Sequence, residues 1–414
     1  MAIAVLGGGI LGVCTALDLA DRGFHVVLFE RNAELLTEAS LHNEGKLHLG
    51  FVYAADRTFR TAERMIRGAA TFLDLLERWI PLDALRALPT KPFDYVVHRD
   101  TMVSITDVER HFVAVEDALA LHLTPAVRCR PVDPARAPWR PLSREELADR
   151  YDPALVIAAY ETCEIAVDPW MVAAELRRAV RAHPRVELRL STRVVQAVDR
   201  TDGRFDILGH REEESASRVG AFDVVVNALW ANRPAIDHRY GLVEPGPWYT
   251  RRKLGVSLLL RDVSARVPSA TIMLGPFGDI VVYQSGRVYM SWYPDCMIGT
   301  TSGLEETDWN AVLDTVDHEV MRDRTLQALG AICPAVRELA AIGNVETVVN
   351  GGSIFAHGSS DIDDPASRLH QRIDAGPLSR KRYLSVDTSK YTLAPAVAAA
   401  TAERVAALLG AGVR

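Results

Sequence analysis

The pattern of hydrophobic and polar positions at the start of the chain predicts a strand, a helix and a second strand. Residues 2–6 (AIAVL) form a short continuous apolar run, which is typical of a buried parallel strand. Residues 10–22 place apolar side chains at helical spacing and stop at Gly23, and residues 25–30 (HVVLFE) form the second apolar run. Segments in this order predict a βαβ unit.

Later segments extend this α/β pattern. Two long amphipathic stretches, 57–79 and 168–183, predict helices, and Asp168 is placed as the N-cap of the second. Residues 393–409 predict an Ala-rich terminal helix, with Thr392 as its N-cap. The predicted strands of the same layer are 186–199, 222–229 and 383–390.

Two segments of the sequence depart from the α/β pattern. Residues 254–293 alternate as in an antiparallel sheet, with a hairpin turn at 284–287, and residues 85–145 predict a further module of strands and helices. Since α/β segments lie at the start, middle and end, we expect two interleaved domains rather than two consecutive ones. The predicted α/β domain comprises 1–80, 150–235 and 341–414, and the β-rich domain comprises 81–149 and 236–340.

Charge and cysteine usage narrow the class of protein. The 414 residues carry a net charge of −7, whereas a nucleic-acid-binding protein usually shows a basic excess. No apolar run reaches the roughly 18 residues of a membrane span, and no basic segment precedes an apolar signal sequence. The five cysteines form no CxxC pair and have no zinc-ligand spacing. We therefore expect reduced thiols, no metal site, no nucleic-acid or membrane partner, and a cytoplasmic location.

A glycine motif lies between the first strand and the first helix. Gly7, Gly9 and Gly12, with Ile10 and Leu11 between the last two, satisfy GxGxxG. In such a motif the first glycine permits a tight turn, the second lets the backbone approach a pyrophosphate, and the third lets helix and strand pack closely. Glu30 ends the second strand, where a carboxylate accepts hydrogen bonds from ribose hydroxyls. The context predicts dinucleotide binding, and the alternative is a glycine-rich turn in an ordinary α/β protein.

Four segments carry a resemblance to a known family. They are 4–31 (AVLGGGILGVCTALDLADRGFHVVLFER), 39–50 (ASLHNEGKLHLG), 165–199 followed by FDVVVNALWANR, and 383–405 (YLSVDTSKYTLAPAVAAATAERV). In this order they resemble the D-amino-acid oxidase superfamily, which includes glycine oxidase, sarcosine oxidase and 2-hydroxyglutarate oxidase. The resemblance implies an α/β fold in which a Rossmann-type, glutathione-reductase-like FAD-binding domain is interleaved with a β-rich, antiparallel-sheet substrate domain.

The resemblance also implies where FAD is held. The implied cofactor-binding residues are Gly7, Gly9, Ile10, Leu11, Gly12, Glu30, Arg31, Ser40, Asn43, Gly45, Lys46, Leu47, Val194, Val195, Ala228, Leu229, Trp230, Thr388, Lys390, Tyr391 and Thr392. Two segments depart from the family pattern. DTSKYT replaces the usual Gly-rich stretch before the last helix, and NALWANR lacks its common glycine. These departures predict unusual surroundings for the flavin ring.

Three residues are candidates for the chemistry. Substrate oxidation by FAD proceeds by hydride transfer to flavin N5, so the protein supplies orientation, a dry pocket and positive charge near N1. Lys390, just before the last helix, is a candidate for that charge, and Tyr391 follows it. His48 lies in the loop expected beside the flavin ring, as an acid or base or as a covalent attachment point. The alternatives are a solvated lysine and a structural histidine.

The expected substrate contacts come from the β-rich insert and two loops. They are Tyr53, Tyr283, Tyr289, Trp292, His357 and Arg368. Aromatic residues on strands are equally suited to a core. The polar segment 351–372, which carries the last two residues, could instead be a solvated loop with internal Asp–Arg pairs.

The leading hypothesis is an FAD-dependent oxidoreductase acting on a C–N or C–O bond in a small polar metabolite. An amine, an amino acid, a hydroxy acid and an amino sugar all fit this description. Molecular oxygen or another acceptor would take the electrons. The alternatives are an NAD-dependent dehydrogenase built on the same GxGxxG unit, and a flavin-binding regulatory protein without catalysis.

Overall fold

The computed structural model describes residues 1–410 except for 123–136, 212–213, 244–245, 261–265, 306, 343–344, 363, 365–366, 368–369 and 372–375. The strands are β1 (Ala2–Leu6), β2 (His25–Phe29), β3 (Lys46–Leu47), β4 (Asp94–His98), β5 (Trp139–Pro141), β6 (Val156–Thr162), β7 (Ile165–Ala166), β8 (Val186–Arg189), β9 (Arg193–Asp199), β10 (Phe205–His210), β11 (Ser217–Phe222), β12 (Val224–Asn227), β13 (Trp248–Leu259), β14 (Ala270–Met273), β15 (Gly278–Val282), β16 (Arg287–Trp292), β17 (Met297–Ser302), β18 (Glu346–His357), β19 (Gly376–Arg380) and β20 (Tyr383–Asp387). The α-helices are α1 (Ile10–Asp21), α2 (Arg60–Leu76), α3 (Leu82–Ala87), α4 (Ile105–His122), α5 (Arg144–Arg150), α6 (Pro169–Ala182), α7 (Arg233–Arg239), α8 (Tyr293–Cys296), α9 (Asn310–Leu313), α10 (His318–Ile332), α11 (Val336–Ala340) and α12 (Ala394–Leu408).

The first sheet is of the Rossmann type and has the strand order β19-β20-β12-β1-β2-β8. Its strands are parallel except for β19, which pairs antiparallel with β20. One face packs against α1, α6 and α12, and the other packs against a three-stranded sheet of β9, β10 and β11. Burial on both faces explains why β1 and β12 are continuous apolar runs in the sequence.

The second sheet is larger and has the order β17-β13-β16-β15-β14-β4-β6-β5, with β18 on the free side of β13. One face shares the main hydrophobic core with the Rossmann domain through residues such as Met273, Val281 and Tyr289. The other face is covered by α10 and α11, which contribute Leu329 and Val336 among others. The large sheet therefore rests directly on the α/β domain.

The structure differs from the expected domain boundaries in two places. Strand β18, expected in the α/β domain, pairs with β13 along its whole length, from Trp248 opposite His357 to Leu259 opposite Glu346. Strand β6, also expected in the α/β domain, lies between β4 and β5 in the large sheet. Pairing between strands distant in sequence is set by the tertiary fold, so the local pattern did not reveal either placement.

The sequence pattern predicts an antiparallel sheet, but the large sheet contains one parallel pair of strands. Strands β4 and β14 run parallel, with Asp94 opposite Ala270. A parallel pair needs a long connection, and here more than 150 residues separate the two strands along the chain. The hairpin expected at 284–287 is present, because Tyr283 N donates to Arg287 O at 2.9 Å.

Helix starts show both agreement and correction. Asp168 caps α6 as predicted, since its side chain accepts from Trp170 N at 3.0 Å. Thr392 is not the N-cap of the last helix: it lies in a 3-10 turn, Tyr391–Leu393, and α12 begins at Ala394. Its hydroxyl is instead engaged with the loop around His48. Within the described residues, no helix is both long and apolar enough to cross a bilayer.

Candidate active site

A cavity of about 540 Å³ opens where the carboxyl ends of β1, β2 and β12 face the large sheet. Ligands of open α/β sheets bind at this edge. The residues that line the cavity from the Rossmann domain include Gly7, Gly9, Ile10, Leu11, Glu30, Arg31, Ser40, Val194, Ala228, Leu229, Trp230, Thr388 and Tyr391. Residues 307–310, Arg252 and Ser353 line it from the opposite side. Many of the predicted cofactor residues thus border one space.

The glycine motif has the geometry of a dinucleotide turn. Gly7 adopts a φ of 101°, which favours glycine. A Cβ on Gly12 would lie 1.8 Å from Gly7 O, so only glycine lets α1 pack this closely on the turn. A Cβ on Gly9 would meet only Ser40 Oγ, at 3.1 Å, so this position borders open space. The start of α1 at Ile10 therefore faces a cradle that an anionic group can fill.

Glu30 and Ser40 hold the turn in place. Glu30 accepts from Gly8 N at 2.8 Å and from Asn32 N at 2.9 Å. Burial raises the pKa of Glu30 from its usual value, and these two backbone N–H groups oppose the rise. Ser40 Oγ accepts from Ile10 N at 2.9 Å. Direct contact of Glu30 with a ribose remains a prediction.

The loop 39–50 is folded tightly by its own polar groups. Asn43 accepts from Gly45 N at 2.7 Å and donates to Ala39 O at 2.8 Å, and a Cβ on Gly45 would lie 2.0 Å from Val167 O. Neither residue is among those that border the cavity. Both shape the loop that carries Lys46, Leu47 and His48, and their contact with FAD remains a prediction.

Strand pairing brings His48 opposite Glu164. Leu47 pairs with Ile165 across the antiparallel strands β3 and β7, so the next residue on one strand faces the preceding residue on the other. His48 Nδ1 lies 3.4 Å from Glu164 Oε1, and both side chains are buried. Glu164 also accepts from Leu49 N at 2.6 Å and from Tyr95 Oη at 2.5 Å. The carboxylate is thus fixed by two hydrogen bonds and faces the imidazole.

The pair has defined protonation preferences. Burial lowers the pKa of His48, and the neighbouring Glu164 raises it without reversing the shift. Burial alone would raise the pKa of Glu164, but His48, Lys46 and Tyr95 bring it below its usual value. A carboxylate therefore faces a neutral imidazole at neutral pH.

A second buried cluster of charges lies beside this pair. Lys46 Nζ donates to Thr271 Oγ1 and to Asp279 Oδ1 on the large sheet. Lys253 Nζ lies 3.1 Å from Glu44 Oε1 and 3.8 Å from Asp279 Oδ2. It also lies 4.1 Å from the centroid of the Tyr293 ring. These contacts join the two domains through ion pairs shielded from solvent.

The segment that precedes the last helix completes the cluster. Lys390 has extended backbone and its charge lowers the pKa of both Glu44 and His48. Thr392 Oγ1 accepts from His48 N at 3.1 Å and donates to Lys46 O at 2.9 Å. Tyr391 borders the cavity, and burial raises the pKa of its phenol well above the usual range.

Three of the expected substrate residues lie at this junction of the domains. The Tyr53 ring packs edge-on against His48 at 5.6 Å. Tyr283 Oη donates to Glu44 O at 3.0 Å, and Tyr289 is buried against Gly255 close to Lys253. Whether they contact a substrate remains a prediction.

Three other expected residues lie elsewhere. Trp292 is partly buried and packs with Phe277 on the face of the sheet that α10 and α11 cover. The His357 ring packs edge-on against Trp248 at 5.2 Å, at the far end of β18. Arg368 lies outside the described residues. Val195 is absent from the described lining of the cavity, and its carbonyl accepts from Arg239 Nη1 at 3.1 Å.

Comparison with known proteins decides the family. Residues 2–404 match the family described as FAD dependent oxidoreductase, which spans nearly the whole chain. The chain belongs to the FAD-dependent oxidoreductase family. FAD is therefore its cofactor and the chain is an oxidoreductase, which replaces both alternatives, the NAD-dependent dehydrogenase and the non-catalytic flavin-binding protein.

Individual relatives of this flavoenzyme are more distant. It is 36% identical over 107 residues to the FAD-dependent monooxygenase FPY4 of Fusarium mangiferae, a match that covers 25% of the chain and 28% of FPY4. Its fold is similar to that of L-α-glycerophosphate oxidase from Mycoplasma pneumoniae, with a TM-score of 0.67 and 16% identity over 99% of the chain and 95% of that structure. Glycine oxidase from Geobacillus kaustophilus gives a TM-score of 0.64 and 16% identity, over 97% and 94%.

The residues of the flavoenzyme fit FAD. The cradle at Gly9 and the first turn of α1 suit a pyrophosphate, and Glu30 ends the strand beside it. Trp230 adopts a φ of 53° and donates through Nε1 to Ser353 O at 2.7 Å, which holds the 228–230 turn at the cavity wall. Lys390 precedes the cavity-lining Tyr391 but does not itself line the cavity, and its place beside the flavin remains a prediction.

Sequence reasoning missed several charged residues of the site. Sequence did not single out Glu164, Lys253, Asp279 and Arg252, because each lies more than 100 residues along the chain from the loop that it contacts. One signal was available in the sequence. Three consecutive basic residues, Arg251 to Lys253, stand in an otherwise apolar strand, and buried charges need partners.

Proposed function

We propose that this flavoenzyme oxidises a C–O bond in a small polar hydroxy compound, with His48 as the group that accepts the hydroxyl proton. The observation that carries this proposal is the buried pair of His48 and Glu164, separated by 3.4 Å, at the junction of the two domains. A neutral histidine oriented by a carboxylate is a common form of general base.

The protonation states support the role. His48 Nδ1 lies 3.4 Å from the ionised Glu164 and makes no hydrogen bond within the described residues, so we place the proton of the neutral imidazole on Nδ1, where the carboxylate attracts it. Nε2 then carries the lone pair and is the atom that accepts the substrate proton. Glu164 orients the ring and stabilises the imidazolium that forms, so it is a positioning residue.

The need for a base favours a C–O bond over a C–N bond. FAD, when bound, accepts the hydride lost from the substrate carbon. A hydroxyl group holds its proton far above neutral pH, so a positioned base has to remove it as the hydride leaves. An amine can enter in its neutral form and needs no such base. Among proteins of similar fold, one is an L-α-glycerophosphate oxidase and another a glycine oxidase, so the fold accommodates both bond classes.

The buried charges support a polar substrate. Lys46 is paired with Asp279 and Lys253 with Glu44, and the charge of Lys46 acts on His48. These paired lysines and carboxylates can orient polar groups of a substrate through fixed hydrogen bonds, without a net charge that attracts ions of one sign. Tyr289 supplies a buried aromatic surface beside Lys253.

Anaerobic flavin reduction by a panel of hydroxy acids, polyols, amines, amino acids and amino sugars tests the proposal. We expect a hydroxy compound to reduce the flavin, and H48Q to slow that reduction by about 10²- to 10⁴-fold with FAD binding unchanged. H357Q is the matched control, because His357 packs against Trp248 away from this cluster. It should reduce at the normal rate.

The pH profile separates a base from a structural histidine. Because the pKa of His48 is lowered, reduction should stay fast as pH falls through the usual histidine pKa and decline only at more acidic pH. E164Q should move this decline to still lower pH, because Glu164 raises the pKa of His48. Reduction by amines alone, with H48Q as fast as the wild type, would reject the proposal in favour of amine oxidation.

A further inference from the structure

We propose that Arg252, which is carried by the β-rich domain, binds the pyrophosphate of FAD from the side opposite to the first turn of α1. This contact is separate from the oxidation assigned to His48 and concerns how the cofactor is held. It adds a charged residue of the β-rich domain to the cradle formed by Gly9, Ser40 and the first turn of α1.

The packing of the two domains places Arg252 at the part of the cavity that is bordered by Ile10 and Ser40. A Cβ on Gly352 would lie 2.6 Å from the Ala39 Cβ, so β18 rests directly on the 38–40 turn. Arg252 is on β13, paired with β18 one residue further along, and it lines the same cavity as Ile10 and Ser40. Ser40 is bonded to the N-terminus of α1. The strand pair therefore covers the turn that meets the helix.

The hydrogen bonding of Arg252 is incomplete. The residue is only 7% exposed, and its Nη1 lies 3.2 Å from Glu38 Oε2. Within the described part of the chain, its buried Nε has no hydrogen-bond partner. An unsatisfied buried donor of a charged group is costly, and a phosphate oxygen is the acceptor that matches the planar guanidinium best.

Burial distinguishes Arg252 from the other cations of the cavity. Arg31 has a side chain that is 37% exposed, and Arg193 is exposed as well, so solvent and salt screen both charges. Arg252 acts in a drier environment, where its attraction for a phosphate is stronger. It and the positive end of the α1 dipole face a common space, and both favour an anion there.

Glu38 acts as the temporary partner of Arg252. Its side chain is 45% exposed, so it can turn to solvent when a phosphate takes its place. The FAD would then bridge the α/β domain, through α1, and the β-rich domain, through Arg252. Cofactor binding and domain docking would thereby stabilise each other.

Two measurements on the holoenzyme test this contact without turnover. The first is the rate of FAD release, followed by the fluorescence of the free flavin. The second is the ³¹P NMR spectrum of the bound pyrophosphate. We expect R252M to release FAD about 10- to 100-fold faster, as for loss of a hydrogen bond to a charged group, and to shift the ³¹P resonances. R252K keeps the positive charge but loses the planar guanidinium, so its rate of FAD release should lie between those of R252M and the wild type.

R140M is the matched control, because Arg140 also pairs with a glutamate, Glu146, but does not line the cavity. It should leave both readouts unchanged. Unchanged release and unchanged ³¹P resonances in R252M would overturn the proposal. Faster release with unaltered ³¹P resonances would also overturn it, because Arg252 would then only hold the domains together. R252K serves for both measurements if R252M fails to fold.

Discussion

Two glycine substitutions should separate the stability of the dinucleotide turn from its affinity for FAD. In Gly12→Ala, the new Cβ would lie 1.8 Å from Gly7 O, whereas contacts under 3.0 Å are essentially never found. Helix α1 must therefore retreat by at least about 1.2 Å. Overpacking of this kind costs about 1–3 kcal/mol, and the voids left where α1 packs on the sheet add to it.

Gly9→Ala should behave differently. Gly9 has φ −73° and ψ 179°, which any residue adopts, and a Cβ there meets only the Ser40 hydroxyl, at 3.1 Å. The fold should tolerate the methyl group, but the group projects into the space assigned to the pyrophosphate. We expect the Kd for FAD to rise about tenfold or more, since each 1.4 kcal/mol of lost binding is a factor of ten.

Thermal unfolding without FAD and titration with FAD test the pair. A cost of about 3 kcal/mol in Gly12→Ala corresponds to a fall in Tm of about 3–4 °C for a chain of this length. Gly9→Ala should keep the wild-type Tm without FAD and show a smaller rise in Tm than the wild type at the same FAD concentration. The reasoning is refuted if Gly9→Ala without FAD is as unstable as Gly12→Ala, or if it binds FAD normally.

Two further changes concern the charges around the site. Lys390→Met should slow flavin reduction more than it weakens FAD binding. It should also move the acidic decline of the reduction rate to higher pH, because Lys390 lowers the pKa of His48. If Lys390 is only a surface lysine, stopped-flow reduction measured across pH will show no such movement. Burial lowers the pKa of His42 to about 4, so the unfolded chain binds more protons than the folded one between about pH 6.5 and 4, and stability should fall as pH drops through this window. His42→Gln should reduce this dependence in Tm measurements between pH 7 and 4, and an unchanged slope would show that other groups cause it.

The sequence was most informative where structure depends on neighbours along the chain. The GxGxxG turn, the cap at Asp168 and the hairpin at 284–287 are each specified by residues within a few positions, and each is present. Glycine conformation and capping are local properties, so they can be inferred without knowing what packs nearby. The four segments that resemble the family also identified FAD correctly.

The last helix shows how a local inference fails. Thr392 has the residue type and position of an N-cap, yet its hydroxyl bonds to the backbone of Lys46 and His48, more than 340 residues away. The competing partner is visible only when the chain is folded. Trp292 is a similar case, because the face of a strand that meets the substrate and the face that meets a helix carry the same kinds of residue.

Only the tertiary structure shows which buried charges of the site lie close together. The family resemblance predicts that His48 lies beside the flavin. Its neighbour Glu164 faces it through the pairing of two-residue strands, β3 and β7, that no periodicity reveals. Lys253 and Asp279 meet Glu44 and Lys46 because the large sheet rests on the 39–50 loop, and the same packing buries Arg252 at the cavity. Sequence by itself determined the cofactor and the local frame that holds it. The partners of each buried charge depend on which distant strands come together, and long-range packing sets that.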